Sequence, residues 1–376
     1  MKNKIIYLTY QTFPANTANT IQTVDNVKYI KRKGYEVEII FPLRSKSSTD
    51  ELSKIKKHYD FDDDIKFKGI KHNLPFGKYK IFEKYLYLFS HIVWSRKVTK
   101  KYQKSMFDNS AFLTRSDWIF YFLSRKGFNV TFECHQLTRI RKWIIQKSIQ
   151  NKRSKIIFLN KHLQIDSGVD IQDYEKFIVL QNGVDSKLFS NKDQDLTKKF
   201  EIIFTGNIQR FNDDRGLKFI IKSFLNEEIP NNLKLKIIGW PLKHVEELRE
   251  YVNFLDLNHC VEILNRLDRK LTISKIQESS IGLLINSSND LHSFKHTSPL
   301  KYYEYLYGEL NILAVDFPAH RSLPFSDNIT FFNENDTEGF IKALLEIDKT
   351  KIIPRNKLGG ITLQKRVDKL ITFITK

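Results

Sequence analysis

Two consecutive runs of alternating strands and helices predict that this chain is an α/β protein with two doubly wound, Rossmann-like domains. Short apolar, β-branched runs alternate with stretches of helical spacing, which is the pattern of parallel sheets covered by helices. The pattern stops at a polar stretch, residues 190–200, and then begins again. The chain has 376 residues, enough for two domains of ordinary size. We therefore predict domains at residues 1–188 and 189–361, followed by a C-terminal helix at 362–376.

The first domain begins with a βαβ unit. Residues 5–8 are apolar, residues 21–30 have helical apolar spacing that ends at Gly34, and residues 37–41 are apolar and β-branched. The crossover of such a unit is right-handed. Residues 44–64 are polar and predict a loop. Further strands are predicted at 111–113, 130–132, 156–159 and 177–180.

The second domain repeats this alternation from residue 201 onward. Its predicted strands are 201–205, 235–239, 261–264, 281–285 and 312–315. Its predicted helices lie near 215–226, 241–255 and 271–279, with another that begins near Ser298. A last strand and helix are predicted within residues 328–347.

The positive charge is concentrated in the first half of the chain. The net charge is +19, and residues 1–190 hold 35 Lys and Arg against 18 Asp and Glu. Such a surface attracts polyanions, including nucleic acid, anionic lipid headgroups and phosphorylated substrates. A solvated, lysine-rich shell is the alternative interpretation. Because no helix-turn-helix, zinc-finger or RNA-binding signature accompanies the charge, we predict no nucleic-acid partner.

Cysteine usage and hydropathy favour a cytoplasmic protein. Cys134 and Cys260 are the only cysteines, and they are too few and too far apart for a disulfide framework or a metal site. The apolar run at residues 5–8 is too short for a signal peptide. No run reaches the roughly 20 apolar residues of a membrane span. Residues 62–64 are three aspartates, which we interpret as a solvated turn rather than a metal site.

Residues 76–101 combine aromatic and basic side chains. Residues 76–89 are rich in Phe and Tyr, and they are followed by Trp94, Arg96, Lys97, Lys100 and Lys101. Such a segment suits either a helix with its aromatic rings in the core or a peripheral contact with an anionic membrane. The second interpretation predicts a peripheral location on the inner face of the membrane.

The strongest chemical signal is the segment Ser298-Pro299-Leu300-Lys301-Tyr302-Tyr303-Glu304-Tyr305-Leu306, which follows an apolar strand. Ser298 suits the N-cap position and Pro299 the first helical position. The free N–H groups at the start of a helix suit a phosphate. Glu304 lies on the same side of the predicted helix as Ser298 and Lys301, where its carboxylate could hold two ribose hydroxyl groups. A capped helix without a ligand is the ordinary alternative.

This segment, with the next strand and Asp316-Phe317-Pro318, resembles the nucleotide-binding segment of retaining GT-B glycosyltransferases of family 4, also called group 1. Members of that family typically read Ser-Pro-x-Lys-x-x-Glu-Tyr there. The resemblance implies the GT-B fold, in which two Rossmann-like domains face each other across a cleft. It also implies that Glu304 binds the ribose of a nucleoside-diphosphate sugar. The remaining donor-binding residues that it implies are Ser298, Pro299, Leu300 and Lys301.

Three other segments resemble the same family in the expected order. Residues 181–185 are similar to its Asn-Gly-Val-Asp before the interdomain linker. A second similarity joins Gly206-Asn207 and Arg215-Gly216 to the family's Gly-Arg…Lys-Gly, which places cations on the diphosphate. A third joins Glu133-Cys134-His135 to its Glu-x-His at the cleft. The resemblance therefore implies donor-binding roles for Gly206 and Asn207 and catalytic roles for Arg215 and His135. It further implies that the C-terminal helix packs back on the first domain.

One departure from the family pattern concerns the transferred sugar. Many members have an additional Glu near that sugar, whereas this chain has His296 eight residues before Glu304. We therefore include His296 among the donor-binding candidates. Thr297 and Asp290 are alternatives for the same role.

A second departure concerns the diphosphate. Asn207 stands where the family has its first arginine. Arg210 and Arg215 follow closely, and either could supply the missing cation. Arg210 is therefore a third catalytic candidate.

The resemblance predicts a transferase that moves a sugar from a nucleoside diphosphate to a glycan or lipid-linked acceptor of polysaccharide assembly, with retention of configuration. The second domain would bind the donor and the basic first domain the acceptor. Neither a metal ion nor a cofactor is expected. Two other functions remain open: a nucleotide-sugar 2-epimerase of the same architecture, and a non-catalytic subunit that stabilises a partner enzyme.

Overall fold

The computed structural model describes residues 4–15, 17–44, 48–74, 82–103, 110–189, 198–210, 213–347 and 351–375. It divides into two compact units: unit 1 ends at Leu180 and resumes at Arg366, and unit 2 is Gln181–Lys365. Each unit contains a parallel sheet whose strands alternate with helices along the chain. The predicted fold class, two doubly wound α/β domains, is therefore confirmed.

The sheet of unit 1 has seven parallel strands in the order β3-β2-β1-β4-β5-β6-β7. The strands are β1 Lys4–Leu8, β2 Glu36–Leu43, β3 Lys66–Lys71, β4 Ser110–Thr114, β5 Val130–Cys134, β6 Ser154–Phe158 and β7 Phe177–Val179. The central strands are buried along most of their length, which explains why they read as apolar runs. β3 is an edge strand with no fully buried residue, so its mixed sequence gave no strand signal.

In the described part of unit 1, six helices precede its return at the C-terminus. They are α1 Ala18–Arg32, α2 Leu52–Tyr59, α3 Glu83–Lys100, α4 Asp117–Arg125, α5 Arg139–Ser148 and α6 Lys161–Ser167. The side chains of Ser116, Thr138 and Asn160 each accept a hydrogen bond from the first turn of the helix they precede. α2 lies inside residues 44–64, which were predicted as a loop. That prediction is wrong because Ile55 is the one buried residue of α2 and most of its other residues are polar, so the helix has no apolar periodicity.

The main sheet of unit 2 has six parallel strands in the order β12-β11-β8-β13-β14-β15. The strands are β8 Lys199–Asn207, β11 Lys234–Trp240, β12 Val261–Asn265, β13 Ser279–Leu284, β14 Asn311–Val315 and β15 Ile329–Phe332. Two short strands, β9 Gln209–Arg210 and β10 Asp213–Asp214, form a separate antiparallel pair. This is the strand order of a dinucleotide-binding fold, and the order reverses between β8 and β13.

The helices of unit 2 cover both faces of that sheet. They are α7 Leu217–Ser223, α8 Leu242–Phe254, α9 Arg269–Glu278, α10 Leu300–Tyr307, α11 Pro318–Arg321, α12 Thr337–Leu345 and the start of α13 Leu363–Thr375. Successive residues of β8 contribute to different cores, with Ile202 and Phe204 in one cluster and Ile203 in the other. α10 approaches β13 closely, since a Cβ added to Gly282 would lie 2.4 Å from the Tyr305 ring.

The boundary between the units falls at Leu180 and Gln181, earlier in the chain than the 188/189 boundary taken from the sequence. Residues 181–184 are held inside unit 2 by specific hydrogen bonds. The side chains of Gln181 and Asn182 donate to the carbonyls of Ser322 and Ser298, and Val184 pairs with Thr362. The last segment of the chain, from Arg366 within α13, belongs to unit 1.

Within the residues that the structure describes, we found no helix with both the length and the apolar character needed to cross a bilayer.

Candidate functional site

The carboxyl ends of β8 and β13 form the point at which the strand order of unit 2 reverses. In open α/β sheets, ligands bind in the crevice at this point. Arg215 occupies it: Nη1 donates to the carbonyl of Asn207 at 3.1 Å, and Nη2 donates to the carbonyl of Ile285 at 3.2 Å. Its side chain is buried. A guanidinium fixed to the ends of both strands therefore lies at the expected ligand position.

A second cation reaches the same place from α10. The Nζ atom of Lys301 is buried and lies 3.5 Å from the centroid of the Phe204 ring, and the Cζ atom of Arg215 lies 5.6 Å from the same centroid. Gly206 lies between the two charges, since a Cβ added there would be 3.1 Å from Lys301 Nζ and 3.8 Å from Arg215 Nη1. Gly206 has φ +141, a conformation that favours glycine. Two cations that share a buried corner favour an anionic ligand.

The start of α10 adds partial positive charge to this corner. The helix begins at Leu300, and its N-cap residue Pro299 provides no side-chain hydrogen bond. The prediction that Ser298 caps the helix is wrong, because its hydroxyl is hydrogen-bonded to the Tyr303 hydroxyl at 2.9 Å and accepts from the Asn182 N–H at 3.5 Å. The first N–H groups of α10 thus lack a side-chain cap, which is the usual condition of a helix end that binds phosphate.

Glu304 lies one turn further along α10. Its side chain is almost fully buried, and its Oε1 lies 2.6 Å from Nη1 of Arg269, whose side chain is 39% exposed. The carboxylate is thus paired with a partly exposed guanidinium group. Arg269 is the first residue of α9. It was not among the predicted site residues, although its place just after the carboxyl end of β12 is a typical position for a ligand contact.

Two buried amide oxygens belong to residues at or next to the backbone carbonyls that hold Arg215. Oδ1 of Asn207 and Oδ1 of Asn286 are buried and, among the described residues, accept no hydrogen bond. Each asparagine is at or just beyond the carboxyl end of its strand. Buried acceptors of this kind are costly unless a ligand or water satisfies them. Asn286 was not predicted, and its signal was its place just after the apolar run of β13.

His320 is a buried histidine whose pKa is lowered by burial and by the positive charges of this corner. It is fully buried in α11, with Nδ1 2.8 Å from the carbonyl oxygen of Val315. Burial is the main cause that lowers the pKa of His320 to about 4, and the positive charges of Arg215 and Lys301 lower it further. The imidazole is therefore neutral at pH 7 and can hydrogen-bond without adding charge.

The remaining predicted residues of unit 2 take different places. His296 is buried in the single turn of π-helix His292–His296 that precedes α10. Arg210 is the last residue of β9, and its backbone pairs with Asp213 of β10. The structure thus brings Gly206, Asn207, Arg215 and Lys301 together, while the roles of Arg210 and His296 remain predictions.

His135 belongs to unit 1 and follows β5. Its Nε2 lies 3.7 Å from Oε1 of Glu133, and Glu133 is itself bound at 2.7 Å by Arg115 and contacted by Arg366 of α13. Burial, followed by the charge of Arg115, lowers the pKa of His135 to about 4. His135 is therefore neutral at pH 7, and its catalytic role remains a prediction. The neighbouring Glu133 belongs to an ion-pair network that attaches the end of α13, from Arg366, to unit 1.

Acidification from pH 6.5 to 4 should destabilise the protein. His72, His91, His135 and His320 all have a pKa of about 4, chiefly because of burial, against an ordinary value of 6.5. Between these values the unfolded chain binds protons that the folded chain does not, so the free energy of unfolding falls as pH falls. One pKa unit corresponds to about 1.4 kcal/mol. Urea titrations at several pH values would test this, and a flat profile across this window would contradict it.

No protein-family model matches the sequence, and no curated protein sequence matches it. Solved structures match across almost the whole chain. HepE of Anabaena, in complex with UDP and glucose, has 11% identity and a TM-score of 0.65, with 99% of this chain and 99% of that chain covered.

Two further structures agree with this match. Sucrose-phosphate synthase of Thermosynechococcus elongatus has 13% identity and a TM-score of 0.67, with 99% of this chain and 96% of that chain covered. The lipopolysaccharide outer core galactosyltransferase WaaB has 12% identity and a TM-score of 0.62, with 98% and 99% covered. The chain has the GT-B fold. At 11–13% identity these matches establish the fold alone. The chemistry of this chain depends on its own residues.

Proposed function

We propose that the chain is a glycosyltransferase that transfers a sugar from a nucleoside diphosphate to an acceptor. The observation that carries the proposal is the pair of buried cations, Arg215 and Lys301, that meet at Gly206 beside the uncapped start of α10. A diphosphate suits this corner because fixed cations and helix N–H groups complement its oxygens without reorganisation. The resemblance of residues 298–306 to a nucleotide-binding segment supports the same assignment.

The names of the structural neighbours agree with this class of reaction. HepE was solved with UDP, with UDP and glucose, and with UDP-glucose, and WaaB is named a galactosyltransferase. These statements concern those proteins. They support a sugar nucleotide as the donor class for this chain.

The proposed reaction breaks the bond between the anomeric carbon and the diphosphate oxygen. The bonding electron pair goes to that oxygen, where Lys301 and Arg215 would stabilise the developing negative charge. A hydroxyl oxygen of the acceptor bonds to the anomeric carbon, and its proton passes to an oxygen of the departing diphosphate. In the retaining, family 4 type of reaction that we propose, this attack occurs on the face that the diphosphate leaves. The two cations would supply the charge that a metal ion supplies in other transferases, so we propose a metal-independent enzyme.

Glu304 and Arg269 would hold the nucleoside. The carboxylate of Glu304 can accept hydrogen bonds from both ribose hydroxyl groups while it stays paired with Arg269. The partly exposed guanidinium of Arg269 would then border the ribose. For the acceptor we propose a glycan or a lipid-linked intermediate of polysaccharide assembly, since unit 1 contributes most of the positive charge of the chain.

Replacing Glu304 by alanine should weaken donor binding by about ten- to a hundredfold, the amount expected when hydrogen bonds to a charged group are lost. A thermal-shift screen of nucleotide sugars identifies the donor, because a bound ligand stabilises the folded state. Calorimetry with that donor then compares the wild type with Glu304→Ala. Glu246→Ala, an exposed carboxylate on α8, is the matched control. Unchanged donor affinity in Glu304→Ala would refute the ribose role.

Product analysis separates this function from its two alternatives. Incubation with the donor alone should leave the sugar unchanged, whereas a 2-epimerase would convert it. Incubation with donor and acceptor should give a glycoside whose anomeric configuration matches that of the donor. Donor binding without turnover on any acceptor would indicate a non-catalytic subunit.

A further inference from the structure

Exposed aromatic side chains are concentrated at α3 and α5 of unit 1, and α4 between them carries partly buried rings. The ring of Phe82, just before α3, is 62% exposed, those of Tyr85 and Phe89 on α3 are 73% and 58% exposed, and Trp143 on α5 is 46% exposed. So many large exposed rings close together are unusual on a surface that is exposed only to solvent. We call the exposed apolar side chains at α3 and α5, together with the partly buried rings of α4 between them, the aromatic face. It comprises Phe82, Tyr85, Phe89, Trp118, Tyr121, Phe122, Ile140 and Trp143.

The aromatic face lies on helices that are packed side by side. α3 packs against α4, and α4 packs against α5. The centroids of Trp118 and Tyr121 are 5.9 Å apart, and those of Tyr121 and Trp143 are 5.5 Å apart, so a chain of rings joins α4 to α5. Position 82, just before α3, and positions 85 and 89 within it are spaced for one side of a helix. The opposite sides of these helices are buried: Trp94, Ile119, Phe120, Leu123, Ile144 and Ile145 all lie in the core of unit 1.

The same three helices carry a strong excess of positive charge. Together they contain nine Lys and Arg and two acidic residues. One of the acidic residues, Asp117, is buried and pairs with Arg141 at 3.0 Å. The exposed basic residues are Arg96, Lys97, Lys100, Arg125, Arg139, Lys142 and Lys147. The surface is therefore both aromatic and cationic, with little charge of the opposite sign.

We propose that the aromatic face docks on the surface of an anionic lipid bilayer. Tyr and Trp rings are favoured at the level of the lipid headgroups, with their polar tips in water. Lys and Arg around them are attracted by acidic phospholipids. An apolar side with basic flanks is the pattern of segments that lie in the membrane interface without spanning it. The proposal does not depend on the donor site or on transferase activity.

Vesicle sedimentation of the full chain tests this inference. We expect the protein to pellet with vesicles of phosphatidylglycerol and phosphatidylcholine and to remain in the supernatant with phosphatidylcholine alone. Raising the salt concentration to about 0.5 M should weaken the binding, because the Debye length falls well below its value of about 10 Å at 0.1 M. Failure to pellet with anionic vesicles, or equal pelleting with neutral ones, would overturn the proposal.

Two variants distinguish docking from a general effect of charge. The double variant Phe82→Ser, Phe89→Ser should lower the partition coefficient on anionic vesicles at least tenfold, and the fold should tolerate it because both rings are exposed. Phe254→Ser on α8 of unit 2 removes a ring that is 83% exposed and should change nothing. Equal losses in the two variants would contradict the assigned surface.

Tryptophan fluorescence gives an independent reading of the same surface. Binding to anionic vesicles should shift the emission to shorter wavelength. The double variant Trp118→Phe, Trp143→Phe should remove most of that shift, since Trp94 is already buried and Trp240 belongs to unit 2. Analytical ultracentrifugation tests the competing occupant, a second copy of the chain. A wild-type dimer that becomes monomeric in the Phe82→Ser, Phe89→Ser variant would show that another protein molecule covers this face, and would overturn the proposal.

Discussion

Replacing Lys301 by methionine is expected to lower kcat by about 10²–10³-fold, the usual loss when one fixed donor to a developing anion is removed. Methionine keeps most of the aliphatic side chain against Phe204 and removes only the charge. Because Lys301 and Arg215 share one buried corner, the variant also relieves repulsion between two cations in the unliganded protein. Its Tm should therefore be unchanged or higher while its turnover falls. Steady-state kinetics and thermal unfolding measure the two effects.

A charge-relocation variant serves as the internal control. Asn207 stands where the resemblance expects arginine, and its backbone carbonyl already holds Arg215. Adding Asn207→Arg to Lys301→Met returns a cation to the same corner and should recover part of the lost turnover. Lys222→Met, an exposed lysine on α7, should leave kcat unchanged. Full activity in Lys301→Met would remove this residue from the reaction.

The sequence predicted the strands that are buried on both faces and missed the elements that are only half buried. Ile202, Ile203 and Phe204 form a continuous apolar run because β8 lies between two cores, so periodicity alone identified this strand. β3 and α2 bury few side chains, and their lysine-rich sequences carry no such signal. Their conformation depends on neighbouring strands and loops that are distant in sequence.

The same distinction applies to the candidate site. Motif resemblance identified the segments that contain Gly206, Arg215, Lys301 and Glu304. It did not predict that the Lys301 ammonium lies against Gly206, because that contact depends on how α10 packs on the sheet. Arg269 was missed for the same reason, since its pairing with Glu304 joins two helices.

Local hydrogen-bonding competition explains the error at the start of α10. Ser298 has the residue type and position of an N-cap, and sequence rules assign it that role. In the folded chain Tyr303 and Asn182 bind its hydroxyl instead. A tertiary contact with residue 182 cannot be inferred from the nearby sequence. The result favours ligand binding, because the helix end that Ser298 would have capped is left without a side-chain partner.

Replacing Glu133 by alanine should lower the free energy of unfolding of unit 1 by about 3–5 kcal/mol, the range expected when one partner of a buried ion pair is removed. Glu133 is 1% exposed and lies between Arg115 and Arg366. Burial raises the pKa of Glu133, but the two guanidinium groups outweigh it and hold the pKa well below its usual range. The carboxylate stays ionised in the folded state, so alanine leaves two buried cations without compensation.

Urea unfolding monitored by far-UV circular dichroism measures this effect, provided that the two units are allowed separate transitions. Glu133→Ala should shift the transition of unit 1 and leave that of unit 2 in place, since Arg366 attaches the end of α13 to unit 1. Asp368→Ala on the same helix breaks a half-exposed pair with Lys33 and should cost at most about 1 kcal/mol. Similar losses in the two variants would mean that the buried network contributes no more than a surface ion pair. Its task would then be to set the position of α13 rather than to stabilise the fold.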